Sequence, residues 1–138
     1  MRIRNEKRRV VRTGFTLMEI LVVVAIIMIL ASVGGYIYLK HLDEARDSAA
    51  LLQVKTLTQA CEAYYTKTGE WPPSLLTLTE KGADGSRPYL EPDALKTPWG
   101  TQYQYDPSGP NNGGNKPDIW AESPTKGKVG NWPAQTAS

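Results

Sequence analysis

The most prominent pattern in the chain is a run of apolar residues near its N-terminus. Residues 20–39, ILVVVAIIMILASVGGYIYL, are twenty consecutive positions without a formal charge. A helix of that length rises about 30 Å at ~1.5 Å per residue, which matches the hydrocarbon thickness of a bilayer. The run therefore predicts a membrane-spanning helix. A cleavable secretory signal is the competing interpretation, but its apolar region normally has ~7–15 residues and ends at a small-residue cleavage site, and neither feature fits well.

Beyond this run the apolar positions change to a helical spacing. No proline or glycine lies between Tyr36 and Lys67, so we expect the helix to continue past the membrane to about residue 66. A face formed by apolar residues at steps of three and four must be covered, by the rest of the chain or, as an alternative, by a coiled-coil partner. The apolar residues form two such series: Tyr38, Leu42, Ala45, Ala49 and Leu52, and Ala50, Val54, Leu57, Cys61 and Tyr64.

The rest of the chain is expected to be rich in loops. Gly69 is the predicted stop of the helix, and Pro72 and Pro73 prevent it from resuming. A short apolar patch at 74–83 precedes three candidate strands, at 101–106, 117–123 and 129–132. The pattern predicts an α+β fold, in which the outer half of a helix of about fifty residues packs on a small antiparallel sheet.

Charge is divided unevenly along the chain. The first fourteen residues carry a net charge of +5, and the remaining residues carry −3. Because the basic residues form a terminal block rather than a face of the body, they give no argument for nucleic-acid binding. Basic residues before an apolar span and acidic residues after it place the N-terminus in the cytoplasm and the C-terminal body outside it. The basic residues of the block are Arg2, Arg4, Lys7, Arg8, Arg9 and Arg12.

Candidate catalytic chemistry is sparse. Cys61 is the only cysteine and His41 the only histidine, so the chain can form neither an internal disulfide nor a metal cluster of cysteine and histidine. No phosphate-binding glycine loop or nucleophile–base arrangement is evident, and the carboxylates are scattered. The sequence therefore predicts a protein that is not an enzyme. Cys61 is expected to be a small buried apolar residue.

Glu19 is anomalous because it lies inside the apolar stretch that begins at Phe15. An ionised carboxylate there costs a few kcal/mol on insertion scales, so such a residue usually has a partner. The alternative is that Glu19 marks the edge of the span and reaches the lipid headgroups.

The segment RTGFTLMEILVVVAIIMILA at 12–31 resembles the processing signal of type IV pilins and type II secretion pseudopilins. The resemblance implies that a peptidase removes residues 1–14 by cutting after Gly14, and that Phe15 becomes N-methylphenylalanine. It also implies that the new α-amino group pairs with Glu19 of a neighbouring subunit. Gly14 leaves no side chain in the way of the peptidase. The fourteen-residue leader is somewhat long for the family.

The body is similar to the major pseudopilins of type II secretion systems. The similarity lies in LKTPWGTQYQY at 95–105, PDIW at 117–120 and GNW at 130–132. It implies a pilin-like fold in which the motif residues Pro98, Trp99, Gly100, Asp118 and Trp132 have structural roles.

The family implies a structural subunit that polymerises into a periplasmic pseudopilus. Its expected partners are copies of itself, minor pseudopilins, the prepilin peptidase/methyltransferase, the inner-membrane secretion platform and the membrane. The expected organisation is a cleaved leader at 1–14, a single-pass inner-membrane and assembly segment at 15–39, and a periplasmic body at 40–138. The alternatives are a type IV pilin of a surface fibre and a signal-anchored binding module that does not polymerise.

The resemblance also implies a calcium site, but the sequence disfavours it. Calcium needs several oxygen ligands. The corresponding loop, AESPTKGKVGNW at 121–132, has Glu122 as its one acidic residue and also contains Lys126 and Lys128. We therefore expect no cofactor, and a lysine that neutralises Asp118 or Glu122 in place of the metal.

Gly34 and Gly35 interrupt the helical run, each at a cost of roughly 1 kcal/mol relative to alanine. Many family members have proline at the position of Tyr36. The glycine pair is either a point of helix flexibility during assembly or a place where helices pack closely through small residues.

Overall fold

The computed structural model describes residues 13–133 of the chain, so the basic residues predicted to form the leader at 2–12 lie outside the described residues. Its main element is one helix, α1 (Leu17–Thr68), of 52 residues. The chain divides between Leu39 and Lys40 into two compact units, and α1 contributes to both.

The C-terminal end of α1 follows the predicted glycine stop. The Gly69 amide donates a hydrogen bond to the Tyr65 carbonyl at 2.7 Å, and Gly69 has a φ of +80°, which disfavours any residue with a side chain. The helix therefore ends two residues beyond the predicted position 66. Pro72, directly after this turn, is buried.

Only one of the two predicted apolar series forms the core of the body. Ala50, Val54, Leu57 and Cys61 are fully buried, whereas Leu52 of the other series is 66% exposed. The expectation that the rest of the chain covers the helix is confirmed for the first of these faces. The series from Tyr38 to Leu52 instead leaves most of its side chains exposed.

The cover is a three-stranded antiparallel sheet in the order β1-β2-β3. Its strands are β1 (Gln104–Asp106), β2 (Asp118–Ser123) and β3 (Gly127–Gly130). Ile119 and Ala121 of the central strand are fully buried in the core, which also contains Leu78 and Tyr103. Short 3₁₀ helices at Leu75–Thr79, Pro92–Leu95 and Pro110–Asn112 lie in the connections. The predicted α+β fold is confirmed.

The outer strands differ from their predicted bounds for local reasons. β1 is shorter than the predicted 101–106, because residues 97–101 form a turn and the pairing of Lys96 with Gln102 is an isolated bridge. β3 begins at Gly127 rather than near Val129 and ends at Gly130, because the Asn131 side chain that follows enters a partly buried hydrogen-bond network.

Cys61 is the small buried residue that the sequence predicts. It is fully buried, and burial, together with the nearby Glu62 carboxylate, raises the pKa of its thiol to about 12. The thiol is therefore protonated at neutral pH, and it is a weak nucleophile there.

The helix–sheet packing can be tested with two leucines of α1 that differ in burial. Leu57→Ala should lower the free energy of unfolding of the body by about 2–5 kcal/mol, because it leaves a cavity in the core. The matched change Leu52→Ala, at the exposed position, should alter it by about 0.5 kcal/mol or less. All four tryptophans follow residue 68, so tryptophan fluorescence of the detergent-solubilised full chain during denaturant unfolding reports on the body. Equal effects of the two changes would contradict the observed packing.

Candidate processing and assembly site

The predicted cleavage point lies in accessible backbone just before α1. Residues 13–16 have no regular secondary structure, and the helix begins at Leu17. Phe15 is 84% exposed, and a side chain added at Gly14 would meet no atom within 4 Å. The bond between these two residues therefore lies in exposed backbone without regular secondary structure.

Glu19 caps the N-terminus of its own helix. The Glu19 amide donates a hydrogen bond to Thr16 Oγ1 at 3.2 Å, and the Thr16 amide donates one to Glu19 Oε2 at 3.4 Å. This reciprocal pair is a capping box, and its carboxylate lies where the helix dipole favours negative charge. The sequence analysis missed Thr16, although its spacing of three from Glu19 is the signature of this motif.

The first unit leaves its apolar surface open. An 18-residue window near the start of α1 has a mean hydropathy of 2.8, and none of it is buried. The segment is long and apolar enough to cross a membrane. Gly34 and Gly35 lie within α1 with no atom within 4 Å of a side chain added at either, so both interpretations of the pair stay predictions.

The PWG motif makes a tight turn in the body. The Gly100 amide donates to the Thr97 carbonyl at 3.0 Å, and the Thr97 amide donates to the Thr101 carbonyl at 2.8 Å. Pro98 fits the second position of such a turn, and Gly100 has a φ of +84° that favours glycine. Trp99 is partly buried and packs against the core.

Asp118 is fully buried at the start of β2 and is held by amides. Its Oδ2 accepts hydrogen bonds from the Asn111 amide at 2.9 Å and from Asn111 Nδ2 at 2.7 Å. Its Oδ1 accepts one from Asn112 Nδ2 at 2.7 Å. Such bonds satisfy a buried carboxylate without a cation.

The predicted pairing of a lysine with Asp118 is therefore wrong, whereas the pairing with Glu122 stays a prediction, because Glu122 lies opposite Lys128 in the β2–β3 register. Lys126 Nζ lies 3.7 Å from Asp47 Oδ2 on α1, and Lys128 Nζ lies 5.4 Å from the centre of the Trp120 ring. Asp118 receives its hydrogen bonds from asparagines instead of a lysine, and Glu122 is exposed. Lys126 does pair with a carboxylate, but that carboxylate belongs to Asp47 of α1.

The GNW motif joins the end of the sheet to the helix through Asn131. Asn131 Oδ1 accepts hydrogen bonds from the Ile119 amide at 3.1 Å and from Asn112 Nδ2 at 3.0 Å. Asn131 Nδ2 donates to the Pro117 carbonyl at 2.9 Å and to Thr58 Oγ1 on α1 at 3.2 Å. The sequence analysis included this residue in the GNW motif but assigned it no role, because a single asparagine in a loop has no periodic pattern.

Trp132 packs on the outer face of the sheet. Its ring centre lies 5.9 Å from that of Trp120. A side chain at Gly130 would come within 2.5 Å of the Trp132 ring, so the glycine makes room for this packing. The motif residues Pro98, Gly100, Asp118 and Trp132 thus all contribute to local structure in the body.

The residues present do not fit a calcium ion. Among residues 13–133, no group of three or more histidine, cysteine, aspartate or glutamate side chains could hold a metal. The Asp118 oxygens already accept N–H groups, and the turn between β2 and β3 contains ammonium groups rather than carboxylates. Calcium requires 6–8 oxygen ligands, which this donor set lacks.

Comparison with known proteins agrees with this geometry. The family described as type II secretion system (T2SS), protein G matches residues 37–131, and the prokaryotic N-terminal methylation motif matches residues 11–35. The chain belongs to the type II secretion system protein G family. The predicted resemblance is confirmed, and it covers both the anchor and the body.

Individual relatives include type II secretion system core proteins G and a fimbrial protein. The type II secretion system core protein G of Vibrio cholerae serotype O1 is 33% identical over 102 residues, which are 68% of this chain and 70% of the relative. That of Aeromonas hydrophila is 29% identical and covers 92% of this chain and 95% of the relative. A fimbrial protein of Neisseria meningitidis serogroup B is 41% identical over 59 residues, which are 43% of this chain. The chain spans about a third of the length of that fimbrial protein, 35%.

The Asn131 network gives a stability test. Asn131→Ala removes bonds to β2, to α1 and to Asn112, and we expect the free energy of unfolding to fall by about 1–3 kcal/mol because buried groups lose their partners. Asn115→Ala is the control, since Asn115 is exposed and its side chain makes a single 3.5 Å contact. Denaturant unfolding followed by tryptophan fluorescence measures both. If Asn131→Ala lowered the free energy of unfolding no more than the control Asn115→Ala does, the stabilising role of the Asn131 network would be refuted.

Proposed function

We propose that this chain is a structural subunit that polymerises into the periplasmic pseudopilus of a type II secretion system. The observation that carries the proposal is an uncovered apolar helix directly behind an accessible Gly14–Phe15 bond. Lipid can cover this surface before assembly, and the helices of other copies can cover it in a fibre.

The exposed apolar series of α1 side chains supports assembly through this helix. Tyr38 and Leu52 are each 66% exposed, and both belong to the apolar series of α1 that leaves most of its side chains exposed. A second copy of the chain would bury this stripe by packing its own helix along it. Family membership makes a copy of the same chain the natural partner.

Glu19 can set the register of the subunits. Cleavage after Gly14 would remove a net charge of +5 and create a cation at the Phe15 amine. Because an unpaired charge in an apolar surrounding is costly, pairing this amine with Glu19 of a neighbour would penalise other axial offsets. In the single subunit the capping box with Thr16 gives the carboxylate a partner before assembly.

The remaining assignments follow from this role. The chain is a substrate of the prepilin peptidase/methyltransferase rather than an enzyme, and it contacts minor pseudopilins and the inner-membrane platform. Residues 15–39 cross the inner membrane once with the N-terminus in the cytoplasm, and residues 40–138 lie in the periplasm. A type IV pilin of a surface fibre is the second candidate, favoured by the 41% identity to a fimbrial protein, but that similarity covers 43% of the chain.

Mass spectrometry of protein purified from membranes tests the processing. We expect a mature chain that starts at Phe15 and carries one N-methyl group. Gly14→Val should leave the uncut chain in the membrane, because a branched side chain obstructs the peptidase. A mature N-terminus at any other residue would contradict the assignment.

Glu19 variants test the assembly role, with cross-linking and electron microscopy of sheared material as the readouts. Glu19→Leu and Glu19→Gln should both abolish or misregister fibres while membrane insertion stays intact. The glutamine variant is the sharper test, because glutamine can still serve in a capping box but carries no charge. Normal fibres from Glu19→Gln would refute the charge pairing, and normal fibres from both variants would refute any role of Glu19 in register. Absence of fibres from the unmodified protein would favour an anchor that does not polymerise.

A further inference from the structure

The turn between β2 and β3 is fastened to α1 by a buried carboxylate. Asp47 is the first buried residue of α1 and is 4% exposed. Ser123 Oγ donates a hydrogen bond to Asp47 Oδ1, and Thr125 Oγ1 donates one to Asp47 Oδ2 at 3.0 Å. Lys126 Nζ lies 3.7 Å from the same Oδ2. Three residues of one turn thus converge on one helix side chain.

The turn is also organised from within by the Ser123 hydroxyl. Its oxygen accepts hydrogen bonds from the amides of Thr125 and Lys126, each at 3.2 Å, while its proton points to Asp47. The hydroxyl therefore links the backbone of the turn to the helix. Ser123 is buried, and Gly127 completes the turn with a φ of +74°.

We propose that Asp47, Ser123, Thr125 and Lys126 form a clasp that holds this turn on the helix without a metal ion. A calcium ion in the turn would need oxygen ligands and would meet the Lys126 ammonium. Here the turn hydroxyls are directed at Asp47, and the lysine supplies the positive charge. The clasp does not depend on the proposed polymerisation, because every contact lies within one chain.

The four residues of the clasp should contribute unequally to holding the turn on α1. A buried carboxylate that loses its donors is costly, so Asp47 and the two hydroxyls are central. The Lys126 side chain is 61% exposed, and solvent weakens its attraction to Asp47. Loss of the Asp47 carboxylate should therefore detach the turn from α1. Loss of the Lys126 charge alone should weaken the attachment of the turn to α1 less.

Limited trypsin digestion of the detergent-solubilised full chain tests the clasp, since Lys126 and Lys128 lie at the turn. In Asp47→Ala, cleavage at these two lysines should be about tenfold faster than in the unmodified protein, because the turn opens more often. Asp43→Ala is the matched control, an aspartate four positions earlier on α1 with a 44% exposed side chain, and it should behave as the unmodified protein. Equal cleavage of the two variants would overturn the proposal.

Metal independence is tested in the same preparations by the thermal midpoint of tryptophan fluorescence. The midpoint of the unmodified protein should be the same in excess EGTA and in millimolar calcium. A midpoint that falls in EGTA or rises in calcium would overturn the proposal. Should Asp47→Ala fail to fold, Thr125→Val removes one donor only and should give cleavage faster than Asp43→Ala; cleavage equal to that control would again reject the clasp.

Discussion

Everything in the body depends on the burial of one face of α1 against the central strand of the sheet. Val54, Leu57 and Cys61 meet Ile119 and Ala121, and these apolar side chains supply the main favourable free energy for so small a domain. Because the sheet has three short strands, it can cover only one face of the helix. The apolar face that contains Leu52 therefore stays exposed.

The regular part of this arrangement could be predicted from the sequence, because its signals are periodic. The helix length, the Gly69 stop and the existence of three strands all follow from apolar spacing and from glycine and proline positions. The choice between the two apolar series could not be predicted in this way, since Leu52 and Leu57 have the same side chain and both fit a helical face. Burial of Leu57 depends on where the sheet docks, which local spacing does not encode.

The polar contacts were harder to predict because they join residues far apart in sequence. The sequence analysis paired the loop lysines with acids close to them in the chain, yet Lys126 contacts Asp47, and Asp118 is satisfied by asparagines. A buried carboxylate needs donors, but it does not need a cation. The sequence identified Asp118 as a motif residue, and only the structure identified the amides that hold it.

Two carboxylates of α1, one at its start and one in its interior, differ in the same way. At Glu19 a carboxylate in an apolar segment has, among residues 13–133, only the groups of its own helix terminus as partners, a weak and exposed arrangement. At Asp47 a carboxylate is buried by the turn that contacts it. The two carboxylates therefore differ in availability: Asp47 is enclosed by contacts within its own fold, whereas Glu19 is exposed, as its proposed pairing with the terminal amine of a neighbouring subunit requires. Because the contacts of Asp47 lie within one chain, the packing of the turn on α1 does not require assembly, and the proposed assembly can use the exposed acid at the start of the helix without disturbing that packing.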